Sequence, residues 1–422
     1  MHTAITLLIR LVPRLCLVAG LACSILNTGA ATNAYTLGPS ASPTNNPLKG
    51  FMPYAGRYTT FPYSMEWSYL SLRSLMHGPA SFDWSSLDTL LNTVAGRGHQ
   101  TVFRVYLDYP GHSTGIPQYL LDAGLQTHTY TDHGNNGQSV SPDYENPLLR
   151  QALTDFIAAL GARYDGDPRI GFITLGLLGF WGEWHTYPYS SWFASVSVQD
   201  EVLAAYTNAF RQTRLLARYP TVTGSYDPGT LPIGYHDDSF AYSTLPPPSW
   251  HFLGQMADAG ETRKWLTQPI GGEVRPEVQP CLWDTAQTTC IPSGQDFARC
   301  VDLTHASWML NHRVFSPGFT GEEKARALAG SARLGYELYV STAVLVDSGI
   351  ASPLRVELQL WNTGVAPFYY NWPVQVGALD SRHELVKTWT TDWKLSALIP
   401  GATNPPWVWS QTSNGLEPGE YT

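Results

Sequence analysis

From Asn46 to about Thr320 the chain alternates short apolar runs with amphipathic or loop-like connections, and this cadence restricts the fold more than any other feature. "NPLKGFMPYAG" and "SMEWSYLSLRSL" read as the first two strands, the first punctuated by Pro and Gly. "SFDWSSLDTLLNTVAGRGHQ" reads as a helix: Leu87, Leu90, Leu91 and Val94 keep helical spacing, Asp83 or Ser85 can cap it, and Gly96 and Gly98 end it. "TVFRVYLDYPG" is the third strand, "ENPLLRQALTDFIAALGARYDGDP" the next helix and "IGFITLGLLGFWGEWH" the fourth strand. "DEVLAAYTNAFRQTRLLARYP" reads as helix throughout, with "TVTGSYD" as the fifth strand after it. "DDSFAYSTL", "PIGGEVRPE" and "DLTHASWMLN" complete the set, with a short helix in "GETRKWLTQ". Eight strands over roughly 275 residues predict a (β/α)8 barrel of the TIM type, covering residues 46–320. A doubly wound open sheet is the alternative, but no Gly-rich phosphate loop follows the first strand.

The texture changes beyond the barrel. "YELYVSTAVLVDS", "LRVELQLWNTGVAPFYY" and "PVQVGALDS" alternate apolar and polar residues, which predicts a C-terminal antiparallel β-sandwich over residues 332–422. "LEPGEYT" reads as the entrance to one more strand. At the other end, Arg10 and Arg14 precede the apolar run "LCLVAGLACSIL" and the small residues of "NTGAATNA". Residues 1–31 therefore read as a secretory signal peptide and 32–45 as a linker, giving a secreted protein with no membrane association after cleavage. In an oxidising compartment Cys281 is expected to pair with Cys290 or Cys300. These cysteines lack zinc-site spacing, and no metal site or cofactor is called for.

In a parallel barrel the C-terminal strand ends converge on one mouth, where the loops build the active site. The polar and aromatic residues expected there are Arg104 and Asp108 from the third strand, and Trp181, Glu183, Trp184 and His185 from the fourth. The fifth gives Tyr226 and Asp227, the sixth His236, Asp237 and Asp238, the seventh Glu273 and Arg275, and the eighth Trp308 and Asn311. Two carboxylates stand out, Glu183 in "FWGEWH" and Glu273 in "GGEVRPE", each following a glycine that permits close approach. A glycosidase needs such a pair, one to protonate the leaving oxygen and one on the opposite face of the sugar. Trp181, Trp184 and Trp308 could stack on sugar faces or serve as packing. Asp108, Tyr226, Asp238 and Asn311 are read with His185 and His236 as candidate hydroxyl partners. The plainer reading of Glu183 is a buried glutamate paired with Arg104.

Composition agrees with a carbohydrate partner. Charged residues make up 14% of the chain and aromatic residues 13%, at a formal net charge of -9. No basic stripe exists to neutralise phosphates, so nucleic acid is not an expected partner.

Fourth- and seventh-strand glutamates on a secreted barrel resemble the retaining glycoside hydrolases of clan A. The motifs "NPLKGF", "FWGEWH" and "GGEVRPE", with the trailing sandwich, more closely resemble a family of secreted barrel proteins of unknown function. The clan likeness implies Glu183 as acid/base and Glu273 as nucleophile, with the aromatic surroundings raising the pKa of Glu183. One departure is plain: the clan places Asn before the acid/base, where it holds the sugar 2-hydroxyl, and this chain has Gly182. Asn311, His185 or Arg104 could supply the missing donor. Alternatively the chain is a non-catalytic carbohydrate-binding protein on a glycosidase-like barrel.

Overall fold

The expected alternation is realised as eight parallel strands: β1 (Gly50–Met52), β2 (Met65–Ser71), β3 (Gln100–Tyr106), β4 (Ile170–Thr174), β5 (Leu215–Ala217), β6 (Ile233–Phe240), β7 (Ile270–Val274) and β8 (Trp308–Leu310). They come from a computed structural model that describes residues 31–39, 42–133, 136–220, 228–284, 294–347, 354–417 and 421. The sheet runs β1-β8-β7-β6-β5-β4-β3-β2. The ring closes just past β1, where Trp67 N–H donates to Pro53 O at 2.8 Å and Ala55 N–H to Trp67 O at 2.7 Å. Closure leaves no free edge, and strands buried on both faces read as continuous apolar runs.

Side chains from alternate strands fill the cylinder. Trp67 (β2), Phe172 (β4), His236 (β6) and Trp308 (β8) meet there, the Trp308 ring lying 5.6 Å from Phe172, 5.4 Å from His236 and 6.3 Å from Trp67. This is the layered packing expected of such a barrel. Gly271 on β7 makes room for it, since a Cβ there would fall 2.2 Å from the Trp308 ring.

The main helices between strands are α1 (Ser85–Ala95), α2 (Pro147–Tyr164), α3 (Val196–Ala209), α4 (Phe252–Asp258) and α5 (Phe297–Thr304), and α6 (Gly321–Arg333) follows β8. The Asn146 side chain caps α2 by accepting from Leu148 and Leu149 N–H, and Pro147 opens the helix. Leu149, Leu153, Phe156, Leu160 and Tyr164 form its buried face.

The helix before β5 is shorter than expected. The stretch read as helix to residue 220 ends at Ala209, and β5 follows inside it. The Asp165 carboxylate accepts from the N–H groups of Arg211, Gln212 and Thr213 at 2.8–3.2 Å, which pulls the chain off the helix and into the sheet. The supposed fifth strand, with Tyr226 and Asp227, falls at 221–227, outside the described residues.

Residues 43–335 form one compact unit, and residues 336–422 with the segment up to Ser42 form the other. In the latter, Ala31–Thr36, Leu338–Asp347, Leu354–Asn362 and Trp407–Gln411 make a four-stranded antiparallel sheet, in that order. A separate hairpin joins Gln375–Leu379 to Leu385–Thr390. Val356, Leu358 and Leu360 alternate inward along their strand, the one-sided pattern expected of a sandwich face. Ala31 and the first five residues of the stretch read as linker thus form an edge strand of this unit, six residues in register with Leu338–Asp347. The signal-like residues 1–30 lie outside the described residues. Cys300 is a free, buried thiol, which removes the 281–300 pairing, and Cys290 lies outside the described residues. No helix among the described residues is long and apolar enough to cross a membrane.

Adding one methyl group where Trp308 enters should overpack the cylinder. Gly271→Ala is expected to lower stability by about 1–3 kcal/mol, read as a shift in denaturant midpoint.

Candidate active site

Glu183 does not stand at the end of β4. The strand stops at Thr174, and the next eleven residues fold back over the mouth. Left-handed backbone at Leu177, Gly179, Trp181, Gly182 and Trp184 makes the reversal. Leu177 N–H donates to Val105 O at 2.7 Å and Trp181 N–H to Asp108 O at 2.9 Å, stitching the loop to the exit of β3. Gly182 has φ +70°, and a Cβ there would crowd Val105 O at 3.1 Å and Arg104 Cδ at 3.3 Å. The glycine before Glu183 is therefore required by the local path, which lays the backbone on the Arg104 side chain.

Beneath the loop lies a closed charge network. Arg104, 1% exposed, sends Nη1 to Glu183 Oε1 at 3.3 Å and Nη2 to Asp238 Oδ1 at 3.1 Å. Its Nε reaches Thr174 Oγ1 at 3.3 Å, and its guanidinium lies 5.3 Å from the Trp67 ring centroid. Arg218, at the exit of β5, donates from Nη1 to Glu183 Oε2 at 2.6 Å and places Nε 3.3 Å from Asp238 Oδ2. His236 Nδ1 is 2.9 Å from Asp238 Oδ1 and 3.4 Å from Arg104 Nη2, and His185 Nε2 lies 3.6 Å from Glu183 Oε2. Two carboxylates thus face two guanidiniums in a buried square.

The electrostatics follow from this geometry. Burial and the Asp238 charge push the Glu183 carboxyl up, but Arg218, His185 and Arg104 outweigh them and hold it below the usual carboxylate range. Asp238 is held well below its ordinary value because Arg104, His236 and Arg218 overcome its burial. Glu273, at the end of β7 level with Leu310, is the opposite case. Burial first, then the charges of Asp238 and Glu183, raise its pKa well above that of a free glutamate, and the opposing charge of Arg104 does not outweigh them. Glu273 therefore holds its proton to higher pH than Glu183. The raised pKa expected of Glu183 belongs to Glu273 instead.

Both carboxyls line one cavity of ≈ 970 Å³. Of the residues expected at the mouth, Trp181, Glu183, His185, Asp238, Glu273 and Arg275 border it. Arg104 lies directly beneath, and His236 borders an adjoining cavity that shares Asp238. Four others are elsewhere. Trp308 is fully buried in the barrel core, and Asn311 at the end of β8 is likewise buried. Trp184 is 8% exposed and turns towards Gln199 and Leu203, the α3 side of the loop. Asp108 is buried behind the loop, accepting from Tyr130 Oη at 2.6 Å, and burial pushes its pKa up to about 7. Tyr226 lies outside the described residues.

Several residues were not anticipated. Arg218 was hidden in the over-long helix, although the polar "RQTR" before "LLA" breaks the helical spacing. Tyr54, Tyr69 and Tyr109 line the cavity beside the acids. Burial, with the charges of Glu273 and Glu183, pushes the Tyr109 phenol up to about 12. Tyr54 lies past β1 and Tyr69 on β2, strands from which no site residue was drawn. Trp250 and Glu277 complete the rim. No cluster of metal-binding side chains occurs among the described residues.

No family model matches this sequence, and no curated protein matches it. Among solved structures it is similar to endo-glycoceramidase II from Rhodococcus sp., at 13% identity and a TM-score of 0.43, over 82% of this chain and 95% of that one. It is also similar to the catalytic domain of the β-amylase from Paenibacillus polymyxa, at 12% identity and a TM-score of 0.41, over 67% and 97% of the two chains. A GH5_18 protein from Bifidobacterium longum subsp. infantis follows at 12% identity and 0.39, over 64% and 70%. Likenesses this distant carry no weight beside the chain's own strand order and side chains.

Removing one guanidinium should expose the cost of the square. Arg218→Met is expected to destabilise by about 3–5 kcal/mol near neutral pH, because two buried carboxylates keep one partner cation. Both acids have folded pKa values below their ordinary ones, so their pairing stabilises above those values and is lost as pH falls through the depressed ones. The gap between variant and wild type in denaturant unfolding should therefore shrink below about pH 4.

Proposed function

We propose that this chain is a secreted glycoside hydrolase that cleaves a carbohydrate chain with Glu273 as proton donor and Glu183 as the ionised partner. The observation that carries this reading is a pair of carboxyls lining one cavity at the C-terminal mouth of a parallel barrel, Glu183 paired with Arg104 and Arg218 so that its pKa is lowered, and Glu273 buried beside the two acids so that its pKa is raised. Cleaving a glycosidic bond needs both states at once, a neutral acid for the departing oxygen and an anion for the sugar. The roles run opposite to those the clan resemblance implies, because the arginines fix the anion on Glu183.

The clan resemblance implies retention. Glu183 attacks the anomeric carbon while the Glu273 proton passes to the leaving oxygen. The Glu183 charge disappears into the glycosyl ester, and with it one of the causes that raise the Glu273 pKa. Glu273, now an anion of lowered basicity, takes a proton from the water that opens the ester, and both groups return to their starting states. Trp181 and the tyrosines offer ring faces to the C–H side of a sugar, and Asp238 and His185 offer polar atoms to its hydroxyls. The apolar run Leu15–Leu26 and its small-residue flank support export.

One observation favours a second reading, a carbohydrate-binding protein without turnover. Both Glu183 oxygens are already engaged, Oε1 by Arg104 and Oε2 by Arg218. Purified protein on a polysaccharide panel separates the two. Hydrolysis should be found, and Glu183→Gln and Glu273→Gln should each reduce kcat/KM by about 10²–10⁴ with unchanged melting curves. Activity should fall as pH rises through the raised Glu273 pKa and as it drops through the depressed Glu183 pKa, leaving a broad plateau between. Full activity in both variants would refute the assignment, and binding without turnover by wild type would favour the second reading.

A further inference from the structure

A second cavity of ≈ 550 Å³ opens beside the acid pair. The two share Arg218, Tyr219, Asp238, Ser239 and Trp250, so they are successive compartments of one cleft. The second compartment is lined with hydrogen-bonding groups, including Ser243, Ser249, Gln255 and Asp258. Between the compartments stands Trp250, 60% exposed. Its exposed indole borders both compartments and offers a ring face to an apolar surface.

The segment carrying Trp250 is firmly held. His251 Nδ1 is 2.6 Å from Leu245 O, Gln255 Nε2 donates to Trp250 O at 2.6 Å, and Phe252 N–H donates to Ser243 O at 2.8 Å. The His251 ring meets the indole edge to face, at 4.4 Å and 85°. Such an anchored, exposed ring provides a preorganised platform for an apolar face.

The charge of the cleft restricts what can lie along it. Glu183, Asp238 and Glu277 oppose Arg104, Arg218 and Arg275, and Arg275 and Glu277 already pair at 2.9 Å. Among the described residues that line the cleft, each arginine already faces a carboxylate, which leaves none to attract an acidic sugar.

We propose that the second compartment is a further sugar subsite with Trp250 as its stacking platform, so that the ligand is a neutral oligosaccharide or polysaccharide extending past the acid pair. This rests on the glycosidase reading for its chemistry but not for its test. Binding is measured by calorimetry on the Glu273→Gln protein with neutral cello-, manno- and xylo-series sugars, from the monosaccharide upward. Affinity should rise with chain length in at least one series. Trp250→Ala added to that background should lower the affinity for the longer chains about fivefold or more. Trp250→Phe should recover most of the loss. Affinity independent of length, equal affinity with and without Trp250, or no binding in any series would overturn the subsite. The parent reading is scored separately, by wild-type turnover of the same sugars. Length-dependent binding without turnover removes the hydrolase and keeps the subsite, whereas turnover without length dependence does the reverse.

Discussion

Two guanidinium groups buried beneath the barrel mouth hold this site together. Arg104 and Arg218 face Glu183 and Asp238, and neither acid could remain ionised at that depth without them. The backbone serves the same arrangement. The 175–185 loop turns back through five left-handed residues and rests on the Arg104 side chain through Gly182, which brings Glu183 over the cations. Trp67 and His236 support the network from below, within the aromatic layer that fills the cylinder.

This arrangement also decides the fate of the remaining acid. Glu273 sits near two fixed negative charges with no cation assigned to it, so burial and Coulomb repulsion both favour its neutral form. One charge square thus lowers the pKa of one carboxyl and raises that of the other within a single cavity. Under the proposed mechanism, esterifying Glu183 would lift part of the repulsion on Glu273.

The barrel was legible in the sequence because strand burial leaves continuous apolar runs and amphipathic helices leave periodic ones. Glu183 and Glu273 were legible as acids beside glycines at the ends of such runs. Arg218 was not, since "LLA" continues an apolar helical face and only a distant carboxylate, Asp165, diverts it. Trp184, Trp308 and Asp108 show the complementary failure. Residue type announces an aromatic or an acid but not its direction, and Trp308 points inward only because Gly271, far away in the chain, leaves space for it. The charge state of Glu183 was misjudged for the same reason: its aromatic neighbours are adjacent in sequence, while its cations arrive from β3 and β5. The segment before the barrel carried too little pattern to reveal that it pairs with Leu338–Asp347.

The location of the proton is the most direct test. Infrared difference spectroscopy of the carboxyl groups near neutral pH, wild type minus Glu273→Gln, should show a protonated carboxyl that the variant lacks. The corresponding Glu183→Gln difference should show loss of an ionised carboxylate. If Glu273 is ionised at that pH, or if the missing proton belongs to Glu183, the charge square does not govern the site and the account of its chemistry is wrong.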